Sequence, residues 1–149
     1  MNKTYITAIL AVTSLAFSAG AMAQNMSNSE YKTVEKNIEV EYKSAEANCA
    51  SFAGNAQDVC MAVAKRTKKV AKAKLDARYK PSKKADYKVS VAKAEADYAV
   101  DKEKCDDHAG NVKDVCLKEA KAALVRGKSD AKAQLKTSKA MDYSQRGVF

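Results

Sequence analysis

Four cysteines stand in two pairs that share the same spacing. Cys49 and Cys60 bound the segment CASFAGNAQDVC, and Cys105 and Cys116 bound the segment CDDHAGNVKDVC. Cysteines can hold a metal ion, carry out thiol chemistry or form disulfides. Zinc sites usually place cysteines roughly two to four residues apart, and redox-active pairs often have the C-x-x-C spacing. Neither spacing occurs here, so the pattern favours structural disulfides.

The two pairs are mirrored about a Gly-Asn step, at Gly54-Asn55 and Gly110-Asn111. If the chain reverses at each step, the two sulfurs face each other across antiparallel helices. A disulfide requires Cα atoms within about 7 Å. Two helices come this close only where the side chains in the seam between them are small. Alanines at positions 45, 53, 64, 109 and 120 meet this condition. Four cysteines permit three pairings. Because the block is duplicated, the sequence predicts pairing within each copy, 49–60 and 105–116.

The cysteine block belongs to a longer internal repeat. Residues 31–86 match residues 87–142 without a gap, for example at Tyr31/Tyr87 and Glu39/Glu95. The repeat length of 56 positions equals eight heptads, so both copies have the same heptad phase. A repeat of this kind is one supersecondary unit. The sequence predicts an all-α protein of two tandem antiparallel helical hairpins, each clamped by a disulfide, in an elongated coiled-coil-like or four-helix arrangement.

Helical periodicity, together with residues that cap or end helices, predicts the helix boundaries. Apolar or small residues three and four positions apart run from residue 28 to 52, and a second such stretch runs from about 57 to 79. Gly54 is the expected left-handed cap of the first helix, and Asn55 or Asp58 can cap the second. Pro81 then ends the second helix, and Ser82 can cap the third.

The second copy repeats this pattern, although Gly127 interrupts the fourth helix. The periodicity predicts that Val63 lies in the first seam. Phe52 and His108 occupy the same position of the two copies, and we expect both to be seam residues near the hinges.

The amino terminus is typical of an export signal. Lys3 precedes an uncharged, largely apolar run, and Ala21-Met22-Ala23 fits the small-x-small pattern cut by signal peptidase. We predict a signal peptide over 1–23 with cleavage after Ala23, a periplasmic mature chain, and no transmembrane span in it. Flexible segments are expected at 24–30 and 143–149. An oxidising compartment agrees with the disulfide interpretation.

Charge is segregated within each copy. The formal net charge is +9, the arm before each hinge is acidic, and the arm after it is basic. The basic surplus predicts contact with anionic partners such as lipid headgroups or cell-wall polymers; the alternative is that these side chains only solvate a helix and pair with the acidic arm. Nucleic acid is the less favoured partner because the chain carries an export signal. The candidate polyanion-binding residues are Lys65, Arg66, Lys68, Lys69, Lys72, Lys74, Arg78, Lys80, Lys83 and Lys84.

Catalytic constellations are missing from the pattern. A nucleophilic pair of Cys105 and His108 would need a reduced thiol, and the five glycines stand singly, without a phosphate-binding loop. Asp106, Asp107 and His108 offer a loose metal site, which the first copy lacks. We therefore expect a non-enzymatic interaction protein of the cell envelope without a cofactor or metal, with a small periplasmic metal- or ligand-binding protein as the alternative.

The duplicated block C-x3-A-G-N-x2-D-V-C, the signal peptide and the Ala/Lys-rich arms together resemble a group of exported proteobacterial proteins, some of them labelled TolA-like. The matching residues are Cys49, Ala53-Gly54-Asn55 and Asp58-Val59-Cys60, with their counterparts between Cys105 and Cys116. The resemblance covers essentially the whole mature chain. It implies a helical architecture and an exported protein, and it implies no particular activity.

Overall fold

A computed structural model describes residues 26–146 of the chain. The described part contains four helices: α1 (Asn28–Cys49), α2 (Asn55–Tyr79), α3 (Lys83–Cys105) and α4 (Gly110–Arg146). The predicted all-α fold of two helical hairpins is confirmed. The predicted signal peptide over 1–23 lies outside the described residues.

Serine side chains begin the first helix of each hairpin. The Ser27 hydroxyl accepts from the Glu30 amide, and the Glu30 carboxylate accepts from the Ser27 amide, which forms a capping box. The Ser82 hydroxyl accepts from the Ala85 amide, as predicted for the start of α3. Within the segment that was expected to be flexible over 24–30, α1 is already capped at Ser27.

The hinges turn at glycines with left-handed backbone angles. Gly54 has φ 57° and Gly110 has φ 54°, a region that residues with a Cβ rarely adopt. Gly54 itself occupies the position before α2 and offers no side-chain cap, so the capping predicted for Asn55 or Asp58 is wrong. The Asn55 amide nitrogen is instead buried without a hydrogen-bond partner.

The turn begins at the cysteine, earlier than the periodicity suggested. Helix α1 ends at Cys49 and α3 ends at Cys105, so the next residues leave the helix axis. Phe52 is 51% exposed and His108 is exposed as well. The prediction that these two residues lie in the seams is wrong, because neither belongs to a helix.

Both predicted disulfides are present, and the pairing is within each copy. Cys49 bonds to Cys60 and Cys105 bonds to Cys116, with a Cα–Cα distance of 5.6 Å in each case. Cys49 and Cys105 are the least exposed side chains of the core. The described residues hold no free cysteine.

The four helices form an open row and not a closed bundle. Helix α1 packs on α2, α2 on α3 and α3 on α4; within residues 26–146 no other pair of helices comes into close contact. Each inner helix is therefore covered on two opposite sides and open on the other two. The α2–α3 seam, which joins the two copies, is as extensive as the α3–α4 seam within the second copy.

The seams are thin and consist mostly of small side chains. Their buried residues are Ile38, Cys49, Ala62, Ala64, Leu75, Ala96, Val100, Cys105, Ala120, Leu124 and Ala131. Val63, which the periodicity placed in the first seam, is 42% exposed. It lies on an open side of α2 because α1 and α3 cover the other two sides, so the seam prediction for Val63 is wrong.

The fourth helix continues well beyond the point at which its counterpart stops. Helix α2 ends before Pro81, which cannot continue a helix. The equivalent position of the second copy is Thr137, and α4 runs on to Arg146. Within the tail that was expected to be flexible over 143–149, residues 143–146 belong to α4, and 147–149 lie outside the described residues.

Candidate anion-binding groove

The acidic arm of the first copy pairs with its basic arm, as the charge pattern predicted. Lys68 Nζ lies 2.7 Å from one carboxylate oxygen of Glu39, and Lys72 Nζ lies 3.3 Å from the other and 3.5 Å from Glu35. The hydrogen bond from Lys68, with support from Lys72, holds the pKa of Glu39 below its ordinary value. Lys68 Nζ also lies 4.1 Å from the centre of the Tyr42 ring. Two candidate anion-binding lysines are thus occupied within the hairpin.

Glu95 links three helices through a similar arrangement. Its carboxylate on α3 accepts from Lys69 of α2 at 2.9 Å and from Lys128 of α4 at 2.6 Å. The hydrogen bonds from Lys128 and Lys69 lower the pKa of Glu95. The ion pairs therefore tie both neighbours of α3 to one carboxylate.

Arg66 is engaged in the α2–α3 seam. Its guanidinium pairs with Asp97, which also accepts from Lys93 at 2.9 Å. Partial burial acts to raise the pKa of Asp97, but the hydrogen bonds from Lys93 and Arg66 outweigh it and the pKa is lowered. Arg66 is thus a structural residue of the seam.

The ten candidate residues consequently divide into two groups. Arg66, Lys68, Lys69 and Lys72 pair with carboxylates of neighbouring helices. The other six are exposed and have no ion-pair partner within residues 26–146. These six are Lys65, Lys74, Arg78, Lys80, Lys83 and Lys84.

The six unpaired residues do not share one surface. Lys72 and Lys74 are two positions apart, which corresponds to about 200° around an α-helix. Lys72 faces a groove between α1 and α3, whereas Lys74, Arg78 and Lys83 do not line it. The single basic patch expected from the sequence is therefore split between two sides of the row.

The groove crosses α1, α2 and α3 on one open side of the row, near the α2–α3 turn. Its volume is about 760 Å³, within the range of roughly 300–1,000 Å³ that is usual for ligand sites. Six lysines line it, against two carboxylates, those of Glu35 and Asp76. The lysines are Lys32, Lys69, Lys72, Lys80, Lys84 and Lys88. Four half-buried alanines stand between them: Ala73, Ala77, Ala85 and Ala92.

Two tyrosines close one wall of the groove. The Tyr31 hydroxyl donates to Asp76 at 2.7 Å, and the Asn28 amide donates to the Tyr79 hydroxyl at 3.4 Å. The two rings pack with centroids 4.7 Å apart. The hydrogen bond to Asp76 raises the pKa of Tyr31 to about 12. Since Asp76 is bonded to Tyr31 and Glu35 pairs with Lys72, both groove carboxylates already have partners.

Sequence reasoning missed Lys32 and Lys88. These lysines belong to α1 and α3, and only the side-by-side packing of three helices brings them to the basic arm on α2. A second groove of about 360 Å³ shares Lys69 with the first. Its basic residues Lys65, Arg66 and Lys69 are matched by the carboxylates of Asp58, Glu95 and Glu103, so the surplus of positive charge belongs to the first groove.

The hinge of the second copy shows no cluster of metal ligands. Asp106 pairs with Lys113 at 2.8 Å, and this hydrogen bond lowers the pKa of Asp106. His108 is exposed. Across residues 26–146, no group of three or more His, Cys, Asp or Glu side chains is placed to hold a metal ion.

Comparison with known proteins adds no family: no protein-family model, no curated protein and no solved structure matches the chain. Among the described helices, none combines the length and the apolar character that crossing a bilayer requires.

Proposed function

We propose that this protein is a non-enzymatic, exported component of the bacterial cell envelope that binds anionic lipid headgroups or cell-wall polymers. The observation that carries the proposal is the groove, in which six lysines stand against two carboxylates that already have partners. Four of these lysines, Lys32, Lys80, Lys84 and Lys88, have no ion-pair partner within residues 26–146.

Like charges held close together repel one another, and an anionic ligand relieves that repulsion. A single exposed ion pair contributes only about 0–1 kcal/mol. Binding must therefore come from several contacts made together, and it must weaken with salt, since screening at about 0.1 M already acts over roughly 10 Å.

Two features support the exported setting. The described cysteines are all in disulfides, which persist in oxidising compartments. The first 23 residues carry the pattern of a cleavable signal, with Ala21-Met22-Ala23 at its end.

Co-sedimentation with isolated envelope fractions tests the proposal. The oxidised chain from residue 24 onward is pelleted with the fractions while salt is raised from low to high concentration. The first variant changes the four unpaired lysines of the groove to Gln: Lys32, Lys80, Lys84 and Lys88. The matched control changes four exposed lysines outside the groove to Gln: Lys36, Lys118, Lys132 and Lys136.

We expect salt-sensitive pelleting that the first variant weakens more than the control does. An equal loss in both would mean that net charge alone drives the association. Absence of pelleting at low salt would refute binding to the envelope and leave the lysines as a solvated surface.

A further inference from the structure

We infer that the groove binds a single strand of an acidic glycan, lying lengthwise between α1 and α3, and not the surface of a bilayer. This inference rests on the proposed function and specifies the ligand of that same site.

The groove differs in shape from the flat surface of a bilayer. The groove lysines come from three helices and face one concave space of about 760 Å³. A flat bilayer contacts only the rim of a concave surface, whereas a single chain can lie along its floor. The unpaired residues Lys74, Arg78 and Lys83 lie outside the groove, so a membrane-binding face would not select the groove over them.

The length of the groove favours an extended ligand. Lys69 and Tyr79 lie at opposite ends of its α2 side, and ten residues of α-helix span about 15 Å. A path of this length suits an extended polymer better than an isolated headgroup.

The residues that line the groove favour a glycan. Lysines and alanines both line the groove, so it offers cationic contacts and small apolar contacts. Sugar rings present apolar C–H faces together with hydroxyls, and acidic sugars add carboxylate or phosphate groups. The Ser82 hydroxyl, the Tyr79 hydroxyl and the Asn28 side-chain carbonyl lie in the lining and can bond to sugar hydroxyls.

The same lining disfavours other anionic polymers. Polyphosphate has no apolar face for the alanines to contact. Single-stranded nucleic acid binds by stacking its bases on free aromatic faces, whereas Tyr31 and Tyr79 pack against each other.

Direct binding to defined probes tests the inference. The probes are an oligogalacturonate of eight to ten sugars, a neutral oligosaccharide of equal length, polyphosphate, and phosphatidylglycerol vesicles. The groove variant is Lys32→Gln/Lys84→Gln/Lys88→Gln, and its matched control is Lys74→Gln/Arg78→Gln/Lys83→Gln. Both remove three exposed charges. Among the probes, we expect the oligogalacturonate to bind the unchanged protein most tightly. The groove variant should bind it about tenfold more weakly, and the control variant should bind it nearly as well as the unchanged protein.

Zero-length crosslinking provides a readout that does not depend on any variant. Carbodiimide activation joins bound uronate carboxylates to nearby lysine amines as amides. Crosslinks at Lys32, Lys84 and Lys88, without crosslinks at Lys74 and Lys83, are the expected result.

The outcomes separate the two proposals. Stronger binding to vesicles or polyphosphate than to the oligogalacturonate, or crosslinks spread over both lysine sets, would overturn the glycan inference and leave the proposed envelope binding in place. Failure of every anionic probe, together with failure of the envelope fractions to pellet the protein, would overturn both.

Discussion

Gly127 of α4 lies directly against Ala94 of α3: a Cβ added to Gly127 would stand 2.9 Å from the Ala94 Cβ. The equivalent residues of the first copy are Ala71 and Ile38, and both are larger. The second hairpin therefore allows its two helices to approach more closely at this position. A glycine that interrupts the helical pattern of the sequence has a packing role in the structure.

Gly127→Ala should destabilise the protein although alanine is the better helix former. The gain in helix propensity is about 1 kcal/mol, and forcing a methyl group into a packed seam costs roughly 1–3 kcal/mol. We expect a net loss of about 1 kcal/mol in the free energy of unfolding, measured by urea denaturation. Ala94→Gly should relieve the contact with the added methyl group. If Gly127→Ala still destabilises a protein that already carries Ala94→Gly, this account is contradicted.

Lys68→Leu should stabilise the first hairpin. Lys68 lines an apolar groove of about 250 Å³ beside the Cys49–Cys60 disulfide, and its ammonium turns away to Glu39. The equivalent residue of the second copy is Leu124, which is only 9% exposed. Burying a leucine side chain contributes about 1.5–3 kcal/mol, more than the exposed ion pair that is lost. We expect a gain of about 1 kcal/mol in urea denaturation.

The reverse exchange, Leu124→Lys, is the matched control for this prediction. It should destabilise the second hairpin, because an ammonium group would replace a buried side chain. A loss of stability in Lys68→Leu would contradict this account.

Mass spectrometry of the unreduced protein should show both disulfides after tryptic cleavage. No Lys or Arg lies between Cys49 and Cys60, so that link should appear as one peptide, 44–65, lighter by two hydrogen atoms than its reduced form. Lys113 separates Cys105 from Cys116, so the second link should join two peptides. A peptide joining Cys49 or Cys60 to the second copy would contradict the pairing.

Replacing either cysteine pair by serine should lower stability. Each disulfide closes a separation of 11 residues, and restriction of the unfolded chain over such a loop contributes about 2–3 kcal/mol. Urea denaturation of Cys49→Ser/Cys60→Ser and of Cys105→Ser/Cys116→Ser measures the loss. The circular-dichroism spectrum before denaturation shows whether each variant still forms its helices.

Acid should weaken the protein through Glu95. Its pKa in the folded state lies below the ordinary value of 4.5, because Lys128 and Lys69 stabilise the charged form. A lowered folded-state pKa means that this contribution is complete above pH 4.5 and is lost as the pH falls through the lowered pKa. The free energy of unfolding should therefore decline below about pH 4.5, and Glu95→Gln should decline less steeply.

Glu119→Gln is the control for the acid effect, since Glu119 is exposed and forms no ion pair within residues 26–146. Stability against pH is measured for the three proteins side by side. An acid slope that Glu95→Gln leaves unchanged would show that the three-helix bridge does not contribute to it.

The hairpins and their disulfides were predictable because the information is local. The spacing of Cys49 and Cys60 about Gly54 determines which residues meet when the chain reverses, whatever surrounds the hairpin. The pairing of the acidic arm with the basic arm followed from the same reversal, and the contact of Glu39 with Lys68 is one instance of it. The continuation of α4 also had a signal in the sequence, the replacement of Pro81 by Thr137, but the repeat itself suggested that both copies would end alike.

The errors arise where the outcome depends on neighbouring helices or on local turn geometry. Phe52 fits the apolar periodicity of α1, yet the hinge already begins after Cys49. Val63 fits the periodicity of α2, but an open row leaves two sides of that helix exposed. Lys32 and Lys88 join the groove only because α1 and α3 flank α2, which no pattern within one helix indicates.

The open row has a consequence for how the chain can acquire its structure. Every close helix contact joins neighbours in the sequence, and each disulfide closes over 11 residues. Chains with mostly local contacts fold quickly. A chain that emerges from its amino terminus can form every contact of the first hairpin before the second hairpin is present. Ordered, vectorial assembly of the row is thus compatible with its topology.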